Sequence, residues 1–191
     1  RVLFRSEPVN KHDHIIFNLD NGKQLRYNDT RKFGRIKLVS LQNYRNELPL
    51  SKLGPEPFDA TCNELYEKIH KSKLPIKHVL LEQNIIAGIG NIYANEICFA
   101  MGLDPNTPAS NLTKKSVQEL IDVSCKILNE AIKQGGTTIH SFSANGIDGL
   151  FQVKLKAHMQ KICPICNGPI SKIKIKGRGT YYCPHCQKRR R

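Results

Sequence analysis

The sequence predicts an α+β fold with strands first, helices in the middle and a short hairpin at the end. Three observations predict it: period-two alternation around a tight turn, helical periodicity in the central part, and Cys-x-x-Cys pairs flanking the last hairpin. The 191 residues are enough for a buried core. We divide them into the end of a β-sandwich or barrel (1–52), a helical domain (53–151) and a cysteine-bound finger (152–191).

The first part is predicted to form strands. His14–Leu19 is rich in apolar residues, Asp20-Asn21-Gly22 is typical of a hairpin turn, and Lys23–Asn28 alternates on the return. Gly34–Ser40 alternates again and predicts one more strand. Because so few strands make a thin sheet with an open edge, we expect further strands of this sandwich to precede Arg1.

Helices are predicted after the stiff linker Gly54-Pro55-Glu56-Pro57. Thr61 and Glu64 fit a capping box at the start of the first helix. Apolar spacing and glycine stops predict three more helices, over Ile76–Gln83, Ile92–Met101 and Thr113–Gly135. The polar loop Gly135–Gly149 that follows has a length typical of functional segments.

The charge balance is strongly basic. Thirty Lys and Arg against sixteen Asp and Glu give a net charge of +14, and residues 152–191 contain eleven Lys or Arg and no acid. This excess favours a polyanionic partner, most often nucleic acid. A solubilising surface is the alternative. No apolar run approaches the ~18 residues of a membrane span, so we expect no membrane partner.

Four cysteines predict a metal site. Cys163-Pro-Ile-Cys166 and Cys183-Pro-His-Cys186 are separated by sixteen residues, and each pair supplies two thiolates from one tight turn. The spacing predicts one tetrahedral zinc per chain, with two disulfides or a redox pair as weaker alternatives. The remaining cysteines lack such spacing and are predicted to be small core residues: Cys62, Cys98 and Cys125.

Two segments are candidate phosphate contacts. Gly88-Ile89-Gly90-Asn91 joins two helices, where glycines allow close approach of main-chain N–H groups to a phosphate. Arg178 stands between two glycines at the predicted hairpin tip, with space for its guanidinium to bind phosphate oxygens. A plain helix-breaking turn and an exposed arginine without a role are the alternatives.

Two N-terminal segments also suggest contacts with DNA. The turn Asp29–Gly34 combines two cations with Phe33, which is the composition of a side-chain wedge for a base stack. A core position for Phe33 is the alternative. In Lys11-His12-Asp13-His14, we expect one phosphate-contacting histidine and one that faces inward, rather than a metal pair.

Six segments occur in one order along nearly the whole chain: Lys11–His14, Asp29–Gly34, Leu53–Pro57, Ala87–Glu96, Gly135–Thr138 and Gly177–Gln187. Together they resemble the bacterial formamidopyrimidine-DNA glycosylase family. The resemblance implies a β-sandwich, a helix-two-turn-helix domain and a zinc finger. It implies a monomeric base-excision repair enzyme of the bacterial cytoplasm and nucleoid. Such an enzyme removes oxidised purines (8-oxoguanine, formamidopyrimidines) from double-stranded damaged DNA and cleaves the abasic strand by β,δ-elimination.

The resemblance also implies roles for individual residues. Asn91 and Arg178 would grip the phosphates around a flipped nucleotide, and Arg178 would take part in the final elimination. His12 would be a further DNA contact, and Lys77 would lie by the lesion pocket.

The remaining roles concern the bases themselves. By the same resemblance, Arg31 would face the base opposite the lesion and Phe33 would wedge into the stack. The loop Gly135–Gly149 would cover the extruded base.

The chain departs from the family at its start. The family's nucleophile is an N-terminal proline beside a glutamate, whereas residue 1 is Arg1. Its elimination lysine and intercalating methionine also find no match. We therefore expect the opening strands and first helix to lie upstream, and we expect the 191-residue polypeptide alone to form no Schiff base with damaged DNA.

Two other functions compete with this interpretation. An endonuclease VIII-like glycosylase for oxidised pyrimidines shares the helical domain and the zinc finger, although Lys11–His14 and Asp29–Gly34 favour the purine enzyme. A non-catalytic zinc-ribbon protein that binds nucleic acid is the second. The upstream coding sequence would discriminate between them, because a Pro-Glu opening belongs to the enzyme.

Overall fold

A computed structural model describes residues 2–3, 8–136 and 155–190. The predicted order of strands, helices and terminal hairpin is confirmed, and most of the loop Gly135–Gly149 lies outside the described residues. The strands and α-helices are β1 (Val2–Leu3), β2 (Asp13–Asn18), β3 (Gln24–Asn28), α1 (Cys62–Ile69), α2 (Ile76–Val79), α3 (Asn91–Ala100), α4 (Lys114–Lys133), β4 (Ser171–Ile175) and β5 (Arg178–Tyr182).

The N-terminal sheet is antiparallel with strand order β1-β3-β2. The β2–β3 hairpin turns at Gly22, whose φ of 76° suits glycine, as the sequence predicts. The strand predicted over Gly34–Ser40 is wrong: the segment forms no strand, and Leu38 is 98% exposed. Alternation makes a strand only where a partner edge accepts its hydrogen bonds, and no described residue provides that edge.

The helices enclose the main apolar core, to which α1, α2, α3 and α4 all contribute buried side chains. Thr61 caps α1, since its hydroxyl accepts the Glu64 N–H (3.4 Å) and donates to the Glu64 carboxylate (2.9 Å). Val117, Leu120 and Ile121 of α4 are buried in this core, whereas Ile132 near the end of the helix is 67% exposed. None of the described helices combines the length and apolarity needed to cross a bilayer.

Helix α2 ends at Val79, four residues before the predicted end at Gln83. The Gln83 side chain explains the difference, because it accepts the Gly88 N–H (2.9 Å) and donates to the Ile89 carbonyl (3.1 Å). Gln83 thus belongs to the glycine turn before α3 rather than to the helix.

The terminal hairpin packs directly on the helices. The buried Gln187 amide accepts the Cys183 N–H (2.8 Å) and donates to the Leu103 carbonyl (2.8 Å). The main chain at Lys188 donates to the Gly102 carbonyl (2.8 Å). These bonds hold the C-terminal end of the finger on the residues that follow α3, and β5 lies against α3.

Candidate nucleic-acid interface

The glycine turn opens α3 without a capping side chain. Gly88 has a φ of 84°, a conformation that favours glycine, and Gly90 is the N-cap residue of α3. A Cβ added at Gly90 would meet no atom within 4 Å, so packing inside the protein does not require glycine there. Because Gly90 has no side chain to cap α3, the positive end of the helix suits binding of an anion.

Lys77 is the centre of a polar cluster between the helices and the hairpin. Its side chain is fully buried, and Nζ donates to Asn91 Oδ1 (2.8 Å), the Gly179 carbonyl (2.9 Å) and Thr180 Oγ1 (2.8 Å). We call these four residues the Lys77 junction. Burial, with a smaller contribution from the Arg178 charge, lowers the Lys77 pKa from 10.5 to about 8. Lys77 is therefore protonated at neutral pH, with one N–H for each acceptor.

The Lys77 junction brings two of the predicted phosphate contacts together. Asn91 Nδ2 donates to the Gly179 carbonyl (3.1 Å), so the first residue of α3 is tied to the residue directly after Arg178. Arg178 itself is exposed and begins β5 after the hairpin turn, where Gly177 has a φ of 79°. The Asn91 amide and the Arg178 guanidinium thus belong to one rigid corner of the molecule.

The turn at residues 29–34 is organised by one carboxylate. Asp29 accepts the main-chain N–H groups of Arg31 (3.0 Å), Lys32 (3.0 Å) and Gly34 (2.7 Å). These bonds, the one from Gly34 first, lower the pKa of Asp29. The carboxylate is therefore ionised near neutral pH and fixes the turn.

The same turn presents an aromatic ring and a guanidinium to the exterior. Phe33 is 73% exposed, so it does not occupy the core position that was the alternative. The Arg31 guanidinium lies 4.5 Å from the Phe33 ring centroid, a cation–π distance. Exposed apolar rings are costly in water unless a partner covers them.

The two nearby histidines are placed differently from the prediction. His12 is half-buried, and its carbonyl accepts the Asp29 N–H (3.0 Å). His14 is exposed, and its Nε2 lies 2.9 Å from the Asp29 carbonyl, so neither histidine is fully buried as the sequence predicted for one of them. His14 therefore supports the Asp29 turn from outside the core.

The four predicted zinc ligands meet in one cluster. The Sγ atoms of Cys163, Cys166, Cys183 and Cys186 all lie within 4.8 Å of one another. The Cys163–Cys186 and Cys166–Cys183 Sγ separations are 3.8 and 3.5 Å. A tetrahedral zinc with Zn–S bonds of about 2.3 Å gives edges of about 3.8 Å, so the four thiolates fit the ion.

Comparison with known proteins agrees with this geometry. Family models match in order at residues 1–36 (formamidopyrimidine-DNA glycosylase N-terminal domain), 53–143 (formamidopyrimidine-DNA glycosylase H2TH domain) and 161–189 (zinc finger found in FPG and IleRS). Formamidopyrimidine-DNA glycosylase of Lactobacillus helveticus is 43% identical over 185 residues. The chain belongs to the formamidopyrimidine-DNA glycosylase family. With the zinc-finger match, the cysteine cluster confirms one zinc per chain.

The alignments extend over nearly all of this chain and over part of each relative. The alignment with the L. helveticus protein covers 94% of this chain and 67% of that protein. The Ureaplasma parvum protein is 45% identical, and its alignment covers 92% of this chain and 66% of that protein. The complex between Lactococcus lactis Fpg and abasic-site DNA superposes with a TM-score of 0.89 at 37% identity, covering 99% of this chain and 71% of that one. Thermus thermophilus MutM (FPG) gives 0.86 at 34% identity, with 96% and 71% covered. The chain spans about two thirds of the length of these glycosylases.

The roles of several buried polar residues could not be predicted from the sequence. Asn95, Glu96 and His158 form a network between α3 and the segment that enters the finger. Asn95 and Glu96 stand in the segment Ala87–Glu96 that carries the family resemblance and interrupt the apolar face of α3, but neither signal points to His158. Their partner is 62 or 63 residues away, so no local pattern could connect them.

Proposed function

We propose that this chain provides the DNA-binding part of a bifunctional DNA glycosylase and abasic-site lyase. That enzyme would remove oxidised purines from double-stranded damaged DNA and cleave the abasic strand by β,δ-elimination, as a monomer in the bacterial cytoplasm and nucleoid. The observation that carries the proposal is the meeting of Asn91 and the Arg178 strand at the Gly179 carbonyl. The family match and the DNA named in the L. lactis complex support the same partner.

The proposed contact with DNA is a phosphate clamp formed by Asn91 and Arg178. Arg178 supplies a forked, permanently charged donor, and the uncapped start of α3 supplies main-chain N–H groups at the positive end of the helix. Lys77 would act behind the clamp, since its ammonium is fully buried and donates to Asn91, Gly179 and Thr180. By the family resemblance, it would also lie by the lesion pocket.

The proposed base-side contact is the exposed Asp29–Gly34 turn. Phe33 would insert where a base is lost from the stack, with Arg31 hydrogen-bonding the base opposite the lesion. The cation–π contact orders both side chains before DNA arrives, which lowers the entropic cost of insertion. His12 beside this turn would add a further DNA contact.

Replacing clamp residues should weaken binding without regard to base sequence. We expect Arg178→Ala to cost about 1–3 kcal/mol on abasic-site duplex and to flatten the salt dependence by roughly one unit of slope. Asn91→Ala should lower affinity without a comparable slope change, because the amide is neutral. Fluorescence anisotropy at several salt concentrations measures both quantities.

Two exposed residues provide matched controls for the clamp variants. Arg45→Ala removes a guanidinium and Asn63→Ala removes an amide, both outside the Lys77 junction. These controls should bind as the parent chain does. Unchanged affinity of both clamp variants on abasic-site duplex would reject the phosphate clamp.

A further inference from the structure

The strongest unassigned feature is the buried polar network behind the phosphate clamp. Asn95, Glu96 and His158 are 0%, 6% and 7% exposed. The Glu96 carboxylate accepts three main-chain N–H groups, from Lys156 (2.8 Å), Ala157 (3.0 Å) and His158 (2.7 Å). Glu96 thereby fixes the backbone that carries the His158 ring.

The His158 ring is held between α3 and β5. Its Nδ1 lies 2.6 Å from Asn95 Nδ2, and the ring meets the Tyr181 ring edge-on at a centroid distance of 5.1 Å. Asn95 is one helical turn after Asn91, so the two amides lie on one face of α3. Asn91 binds the main chain of β5 at Gly179, and Asn95 binds it at Tyr181.

The hydrogen bonds determine which form of His158 fits. Asn95 Oδ1 accepts the Tyr181 main-chain N–H (3.4 Å), so the amide must turn its Nδ2 donor toward the imidazole. The reverse orientation would set two donors against each other at Tyr181. His158 Nδ1 must therefore be an acceptor, and the ring proton must be on Nε2.

We propose that Asn95 and His158 are positioning residues for the phosphate clamp, and that only the neutral Nε2–H tautomer of His158 holds β5, with Arg178, in register with Asn91. The proposal rests on the proposed function only where it invokes DNA. A proton on Nδ1 would face the Asn95 amide N–H and break the contact. Acid would then loosen β5 at Tyr181, three residues from Arg178.

The surroundings of His158 favour its neutral form. Burial and then the positive charge of Lys77 on α2 lower its pKa below 6.5. The other charged and titratable groups nearby are Glu96 on α3, whose carboxylate is occupied by main-chain N–H groups, and Tyr181 on β5, with the Lys172 ammonium of β4 over its ring at 5.4 Å. His158 therefore becomes protonated at a lower pH than an ordinary histidine.

The expected pH effect has a sign that simple charge cannot produce. Protonating a histidine adds positive charge, which by itself strengthens DNA binding. Loss of the clamp geometry weakens it. We therefore expect the affinity of the 191-residue chain for abasic-site duplex to fall with acid, by up to about twofold at the pH at which half of His158 is protonated and by more at lower pH.

Two substitutions test whether protonation of His158 Nδ1 causes the loss of affinity. His158→Asn keeps an acceptor at the Nδ1 position that cannot be protonated, so its affinity should not fall with acid. Asn95→Asp offers a carboxylate that accepts both the Tyr181 N–H and a protonated Nδ1, so the His158 pKa should rise and acid should no longer weaken binding. His70→Asn, at the end of α1, is the matched control and should follow the parent profile. Zinc content is measured at each pH, so that metal loss is not mistaken for the effect.

A readout without DNA separates this proposal from the proposed function. In nitrogen-15 NMR spectra of the free chain, His158 should show the Nε2–H tautomer, and the Gly179 and Tyr181 amide signals should titrate with it, but not in His158→Asn. The proposal is overturned if His158 shows the Nδ1–H tautomer, or if the Gly179 and Tyr181 amide signals do not change as His158 titrates. If the amides titrate and DNA affinity does not follow, the positioning of β5 stands and the phosphate clamp is wrong.

Discussion

Removal of zinc is expected to unfold the β4–β5 hairpin and to abolish binding to abasic-site duplex. The hairpin has little apolar core of its own: two of the four fully enclosed members of its cluster are the ligands Cys163 and Cys183, packed with Phe99 and Ala157. Four thiolates form a closed structural site, and apparent binding free energies of such sites are about 10–16 kcal/mol. Without the metal, the finger loses the four thiolate–zinc bonds that keep the hairpin folded with Arg178 near Asn91.

The helices should survive this loss, because their core is separate from the finger's cluster. Chelator-treated protein should therefore keep its far-ultraviolet helical signal while the β4 and β5 amides lose protection from hydrogen exchange. Cys163→Ser should lower the metal content from one zinc per chain toward zero, whereas Cys62→Ser, outside the cluster, should retain one. Well-folded protein with almost no zinc would contradict the prediction.

Replacing Lys77 by methionine should be the most damaging single change outside the zinc site. Methionine has a similar length but no N–H groups, so three acceptors lose their donor inside the protein: Asn91 Oδ1, the Gly179 carbonyl and Thr180 Oγ1. An unsatisfied buried polar group costs about 1–3 kcal/mol. Since Asn91 still donates to Gly179, we expect a total loss of about 3 kcal/mol in the free energy of unfolding.

The same substitution should weaken DNA binding more than its charge explains. A surface lysine contributes to DNA affinity through charge alone, so Lys126→Met on the exposed side of α4 is the matched control. Urea unfolding and DNA titration of both variants measure the two effects. Equal stability of Lys77→Met and Lys126→Met would show that the buried hydrogen bonds of the Lys77 junction do not hold the hairpin in place.

Local chemistry made much of the molecule predictable from sequence. The turn at Gly22, the cap at Thr61 and the Cys-x-x-Cys pairs each depend on residues a few positions apart, and each is found where the spacing places it. The motifs around Asn91 and Arg178 likewise marked the ends of α3 and β5 on which the phosphate clamp is proposed. Such features follow from φ preferences, local hydrogen bonds and ligand geometry, and these depend on residues that are close together in the sequence.

Tertiary structure decided the rest. The alternation in Gly34–Ser40 predicted a strand, yet a strand also needs a partner edge, and alternation says nothing about one. No local pattern could show that Lys77 is buried against a strand that lies 102 residues further along the chain. The Asn95–His158 pair likewise spans 63 residues. A buried polar side chain is tolerable only when all its hydrogen bonds are made, and residues distant in sequence supply those partners only once the helices and the finger have packed together.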